Sequence, residues 1–250
     1  MLWLIPAAAL PLAGLCVYIP LRIKEKMRPA LLIKTALSVL FILYSLYAIK
    51  RLTGTGVSYI DRSALIMGLC TVAGMVCGLL GDIWLDLKDI HGDSKHFYMY
   101  CGFTSFLIGH LFFMSGMANV LEIKLYTVLL AACVGVVMTL FMFFLEKPMK
   151  LDYGKFRPIL LIYTFILSLT TALPVICALP SITNGGKPLF PIIFGAGMIL
   201  FFLSDLILSQ VYFSTVNAKP KPLHIALNYI FYYGGQFTLA ASLYFLPSVT

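Results

Sequence analysis

Charge is what this chain has least of. Asp, Glu, Lys and Arg make up 11% of its 250 residues, where a soluble domain carries about a quarter. With 61% hydrophobic residues and a mean hydropathy of +0.97, the composition excludes a soluble globular fold. Short segments of alternating polarity are also absent, which argues against a membrane β-barrel. What remains are apolar runs long enough for a ~30 Å hydrocarbon core, which takes about 20 helical residues. The sequence therefore reads as an all-α, polytopic membrane protein, with residues 1–250 forming one integral membrane domain.

Other absences narrow the function. The six cysteines follow no metal or disulfide spacing and read as small apolar packing residues. Gly54 and Gly56 form no phosphate-binding loop and read as a turn. The stretch Asp86–His96 is rich in possible metal ligands but lacks a recognised spacing, so it reads as a solvated loop. No metal and no organic cofactor is expected. No basic cluster precedes the first apolar run, so the expectation is a retained first span and not a cleaved signal peptide. The net charge of +8 lies in short connections, where anionic lipid headgroups account for it and nucleic acid is not needed.

Eight spans are predicted, at about 2–20, 29–48, 63–87, 97–117, 125–145, 157–178, 189–210 and 223–246. Turn-rich punctuation separates them: Pro29 opening the second, Thr53–Gly56 after it, Pro180–Pro188 before the seventh and Ala218–Pro222 before the eighth. Connections after spans one, three, five and seven hold twelve Lys and Arg, and those after spans two, four and six hold five. The positive-inside rule then places both termini outside the cytoplasm, in the cell membrane if the source is bacterial.

Two acidic residues lie within the apolar sequence. Asp82 sits in Gly78-Leu-Leu-Gly-Asp82-Ile-Trp-Leu, and Asp205 in Ile199-Leu-Phe-Phe-Leu-Ser-Asp205-Leu. A charged residue at mid-helix costs ~2.5–3.5 kcal/mol on insertion scales, so such residues usually serve a function. The span boundaries put both roughly 7 Å inside the cytoplasmic limit, at 1.5 Å per residue. A shared depth predicts a shared site. The motif Arg28-Pro-Ala-Leu-Leu-Ile33 returns as Arg157-Pro-Ile-Leu-Leu-Ile162, which together with the aspartates is the pattern of a four-plus-four internal repeat.

Further polar residues are candidates beside a plainer reading. Lys34 either snorkels to the headgroups or partners a carboxylate or phosphate. Arg157 is either a topogenic charge or a phosphate contact. Asp86 lies one turn beyond Asp82 and reads as a solvated end-of-span residue. His110 either hydrogen-bonds a neighbouring helix or orients a carboxylate. Tyr232, Tyr233 and Gln236 form a polar patch in the eighth span, read as support for the site.

These residues resemble one family, the lysoplasmalogenases or YhhN-like integral membrane proteins. The resemblance rests on Gly81-Asp82-x-x-Leu85, Phe106-x-x-Gly-His110, Arg157 with Tyr163, Gly197 through Asp205, and Tyr232-Tyr-Gly-Gly-Gln236. Phe113 stands where the family often has a tyrosine, and the stretch between Asp82 and His110 is longer than usual. The resemblance implies an eight-helix hydrolase that cleaves the vinyl ether bond of lysoplasmalogen. Its products are a fatty aldehyde and glycerophosphoethanolamine or glycerophosphocholine. Its partners are a lysophospholipid and the bilayer.

Two carboxyls suit that chemistry. Protonating the β carbon of a vinyl ether gives an oxocarbenium ion that water captures, and glycosidases manage a related cation with one neutral and one ionised carboxyl. Asp82 and Asp205 are the expected catalytic pair. Lys34, Arg157, His110, Tyr163, Tyr232 and Gln236 are the expected substrate-binding and supporting residues. The alternatives are a proton-coupled transporter using the same carboxylates and a non-enzymatic lipid-binding scaffold. No feature of the sequence specifies an oligomeric state.

Overall fold

The computed structural model describes residues 4–54, 62–216 and 220–246. Gly56 of the expected turn, and Lys219 of the basic connections, lie outside the described residues. The fold is all-helical: α1 (Leu4–Ile23), α2 (Met27–Gly54), α3 (Arg62–Ile90), α4 (Lys95–Val120), α5 (Leu125–Leu145), α6 (Arg157–Thr183), α7 (Leu189–Phe213) and α8 (Pro222–Ser242). Helices α2 to α7 are each long and apolar enough to cross a membrane. The protein is a multi-pass membrane protein. In hydrocarbon every backbone N–H and C=O needs an internal partner, which a helix supplies within its own segment. Neighbouring helices let α1 keep Pro11 and Pro20, and α6 keep Pro174 and Pro180, without breaking.

Glycine sets the closest helix approaches. A Cβ added to Gly109 of α4 would stand 2.9 Å from the carbonyl oxygen of Gly74 on α3. On the other side of the bundle, a Cβ added to Gly235 of α8 would stand 2.8 Å from the carbonyl oxygen of Gly197 on α7. Small residues at such crossings bring two backbones together where no hydrophobic driving force separates helix from lipid. Helix α5 lies at the periphery. It buries a stripe of Thr127, Ala131, Gly135 and Met142 and leaves Leu129, Val137, Phe141 and Phe144 exposed to lipid.

Two boundaries matter for the site. Helices α3 and α7 run to Ile90 and Phe213, beyond the sequence expectation, so Asp82 and Asp205 each lie eight residues from a helix end. That is about 12 Å at the helical rise, deeper than expected but still a common depth. The solvated-loop reading of Asp86–His96 is corrected in its first half. Asp86 and Lys88 are buried on α3, because they form ion pairs instead of meeting water. The cysteines are all free, and Cys16 and Cys133 are exposed on the outer surface and do not fill the core.

Candidate functional site

Asp82 is held by donors from two other helices. Lys34 Nζ of α2 stands 3.1 Å from its Oδ1. The Tyr232 hydroxyl of α8 donates to Oδ2 at 2.7 Å, and Ser38 of α2 donates to the same oxygen at 3.3 Å. Lys34 also donates to Asp86 at 3.2 Å, so one ammonium serves two carboxylates. All of these groups are buried, Lys34 to 2% exposure and Asp86 to 1%. A buried charge survives when paired and hydrogen-bonded, and this cluster meets that condition. Of the readings open for Lys34, the geometry selects the carboxylate partner. The end-of-span reading of Asp86 is wrong for the same reason: the second half of the Lys34 bond holds it inside.

Asp205 has different company. The Tyr163 hydroxyl of α6 donates to its Oδ2, and His110 Nε2 of α4 lies 3.4 Å from that hydroxyl. Because the phenolic hydrogen goes to Asp205, the network assigns the hydrogen in the second contact to His110 Nε2. Among the described residues His110 Nδ1 has no partner, and neither has Oε1 of Gln236. Gln236 and Tyr232 close over Gly78, where an added Cβ would meet the Gln236 amide nitrogen and the Tyr232 oxygen at 3.6 Å each. The Asn228 amide nitrogen of α8 donates to both the backbone carbonyl and the hydroxyl oxygen of Ser204, each at 2.9 Å, which fixes α8 to α7 beside Asp205.

The two aspartates face one small cavity, together with Phe106, Tyr212, Asn228 and Tyr232. Its volume, about 20 Å³, suffices for a single water molecule. Two larger spaces adjoin it. An apolar cleft of about 50 Å³ between α6 and α7 is lined by Asp205, Tyr163, Phe103 and Leu206. A charged cavity of about 630 Å³ at the bundle end is lined by Arg22, Lys88, Asp89 and Lys95. Tyr212 lines all three.

Sequence reasoning placed Asp82, Asp205, Lys34, His110, Tyr163, Tyr232 and Gln236, and the structure brings them together. Arg157 is not among them. Its guanidinium grips Glu146 through Nε at 2.9 Å and a terminal nitrogen at 2.8 Å, and it lines none of these three cavities. That clamp holds the Glu146 carboxyl, which lies beyond the end of α5, below the usual carboxylate range, against the opposing effect of burial and with help from the Tyr153 backbone N–H. Ser38, Tyr212 and Asn228 went unrecognised in the sequence. Serine and asparagine in an apolar run carry little signal, and Tyr212 looks like any tyrosine near a span end.

A model of the YhhN family matches residues 29–243, which takes in both aspartates and every residue that bonds them. No curated protein and no solved structure matches the chain.

Proposed function

The chain belongs to the YhhN family, the family of lysoplasmalogenases, and from that premise we propose that it hydrolyses the vinyl ether bond of lysoplasmalogen between Asp82 and Asp205. The observation that carries the proposal is the pair of carboxyls on one water-sized cavity, each with unlike partners. Asp82 accepts from an ammonium and two hydroxyls, so all three of its partners are donors. Asp205 has a phenol donor and an apolar cleft beside it, the surroundings suited to the proton-donating partner of the pair.

The roles follow. Asp205 gives its proton to the β carbon of the alkenyl chain, and the positive charge develops on the α carbon and its ether oxygen. Asp82 faces that charge and takes a proton from the water that attacks the α carbon. The resulting hemiacetal collapses as its hydroxyl proton returns to Asp205 and Asp82 protonates the departing glycerol oxygen. Both carboxyls end as they began, with aldehyde and glycerophospho-alcohol as products. Tyr163, oriented by His110, positions Asp205, and Tyr232 positions Asp82.

The same geometry supports the reading of eight membrane-crossing helices as two copies of a four-helix unit. Gly74 precedes Asp82 by eight residues and Gly197 precedes Asp205 by eight, each glycine meeting a glycine of the next helix. Lys34 and Tyr163 each stand six residues after the arginine of an Arg-Pro pair, and each contacts the aspartate of its own half. Gly109-His110 and Gly235-Gln236 correspond likewise. On this reading the halves differ where it matters chemically: a lysine in one, a tyrosine in the other.

The test is aldehyde release from lysoplasmenylethanolamine by purified protein in detergent, with Asp82→Asn and Asp205→Asn alongside. Release by the wild type and loss in both variants is the expected result. Either variant working at the wild-type rate rejects the mechanism, and uptake of a solute into vesicles with no aldehyde formed would point to transport.

A further inference from the structure

Two buried cations at the end of the bundle share a single carboxylate. Arg22, in the last turn of α1, and Lys88, in the last turn of α3, each bond Asp89 at 2.5 Å. They are 8% and 5% exposed. The three groups together carry one surplus positive charge, and adding Lys95 and Glu25 of the same cavity leaves that surplus unchanged. An ammonium has three donors and a guanidinium five, so one carboxylate does not use up their capacity. Lys88 also lies 4.2 Å from the centre of the Tyr212 ring, which keeps its head beside the wall common to the three cavities.

The cavity these cations line measures about 630 Å³, within the range of small-molecule sites. It shares Tyr212, Asn228 and Tyr229 with the chamber between the two aspartates. A ligand seated here therefore reaches Asp82 and Asp205 past a single layer of side chains. The sequence offered Lys34 and Arg157 for a lipid phosphate, but Lys34 is divided between Asp82 and Asp86, and Arg157 is clamped by Glu146. Arg22 and Lys88 are the cations with spare donors at the right place.

We propose that this cavity is the headgroup site, in which Arg22 and Lys88 bind the single negative charge of a lysolipid phosphodiester. The assignment rests on the hydrolase reading for its substrate, with the vinyl ether between the aspartates and the first carbons of the chain in the cleft beside Tyr163. Guanidinium and ammonium bonds to phosphate are charge-assisted and strong for their number. Asp89 holds one head on each of its carboxylate oxygens.

The test needs no bond cleavage. Wild-type protein in neutral detergent is titrated with two saturated ethers it cannot hydrolyse, an alkyl lysophosphoethanolamine and the matching alkylglycerol. The phosphate-bearing ether is expected to bind at least ~10-fold more tightly, with Lys88→Gln and Arg22→Gln each removing most of the difference and leaving the alkylglycerol unchanged. Glycerophosphoethanolamine is expected to compete, and inorganic phosphate to compete much less. Equal affinity for the two ethers overturns the proposal, as does discrimination that survives in both variants or equal competition by inorganic phosphate. Should neither variant fold, the wild-type comparison decides alone. Headgroup discrimination without aldehyde release would sink the hydrolase and spare the site; aldehyde release without discrimination would do the reverse.

Discussion

Lys34 and Asp82 form an ion pair in the interior of a membrane protein, Nζ 3.1 Å from Oδ1, at side-chain exposures of 3% and 6%. The pair is tied further to Asp86, so removing the ammonium leaves two buried carboxylates without their counter-charge.

Lys34→Met is accordingly expected to destabilise the fold by about 3–5 kcal/mol, the usual cost of breaking a buried pair by deleting one partner. Thermal unfolding in detergent, followed by labelling of the half-buried thiols Cys70, Cys77, Cys101 and Cys177, measures it. A variant as stable as the wild type would show that the pair is not held in its charged form.

The aspartates are expected to separate in such an assay. Asp205→Asn should lower turnover by a factor of about 10²–10⁴, as loss of a general acid does, while melting near the wild-type temperature. Asp82→Asn should lose turnover and some stability together, because it weakens the bonds from Lys34, Tyr232 and Ser38 while Lys34 keeps Asp86 as counter-charge. Equal stability losses in the two would contradict the division of roles.

Tyr232→Phe removes a hydrogen bond to a charged group, a change of about 1.5–3 kcal/mol. Its effect is expected mainly on kcat, since the donor orients a group that acts in the transition state. A change confined to KM, with kcat intact, would move Tyr232 from positioning Asp82 to contacting the lipid.

Outside the membrane region, Glu146 offers a pH test. Its carboxyl is held low in the folded protein by Arg157, so its contribution is complete above the unfolded value of about 4.3 and is lost as pH falls through the lower folded value. Wild type should lose melting temperature below about pH 4 faster than Glu146→Gln does. Parallel losses in the two proteins would remove the clamp from the stability of this connection.

Much of this arrangement was legible in the residues. Membrane spans announce themselves through length and apolarity, and an aspartate inside one is conspicuous because its cost demands a reason. Depth made Lys34 a candidate partner for a carboxylate but left snorkelling and a phosphate contact open, and the fold selects the carboxylate. The cluster at the bundle end was harder. Asp82, Asp86 and Asp89 follow the spacing that lines one helix face, a signal the sequence does hold, but charges near a span end ordinarily meet water and were read so. Arg157 misled in the other direction. Its partner Glu146 lies across a connection whose path depends on the Leu151–Ser214 bridge and the turn through Gly154, which periodicity does not encode. Ser38 and Asn228 act through tertiary neighbours alone.

Tyr212 stands where an oily cleft, a water-sized chamber and a charged mouth converge. For the proposed reaction this means that the two halves of the substrate never share an exit. The aldehyde is released toward hydrocarbon and the glycerophospho-alcohol toward solvent, so partitioning between phases pulls the hydrolysis forward after each turnover. A single-chain lipid with detergent character would be removed from its leaflet with neither fragment having to cross into the medium that rejects it.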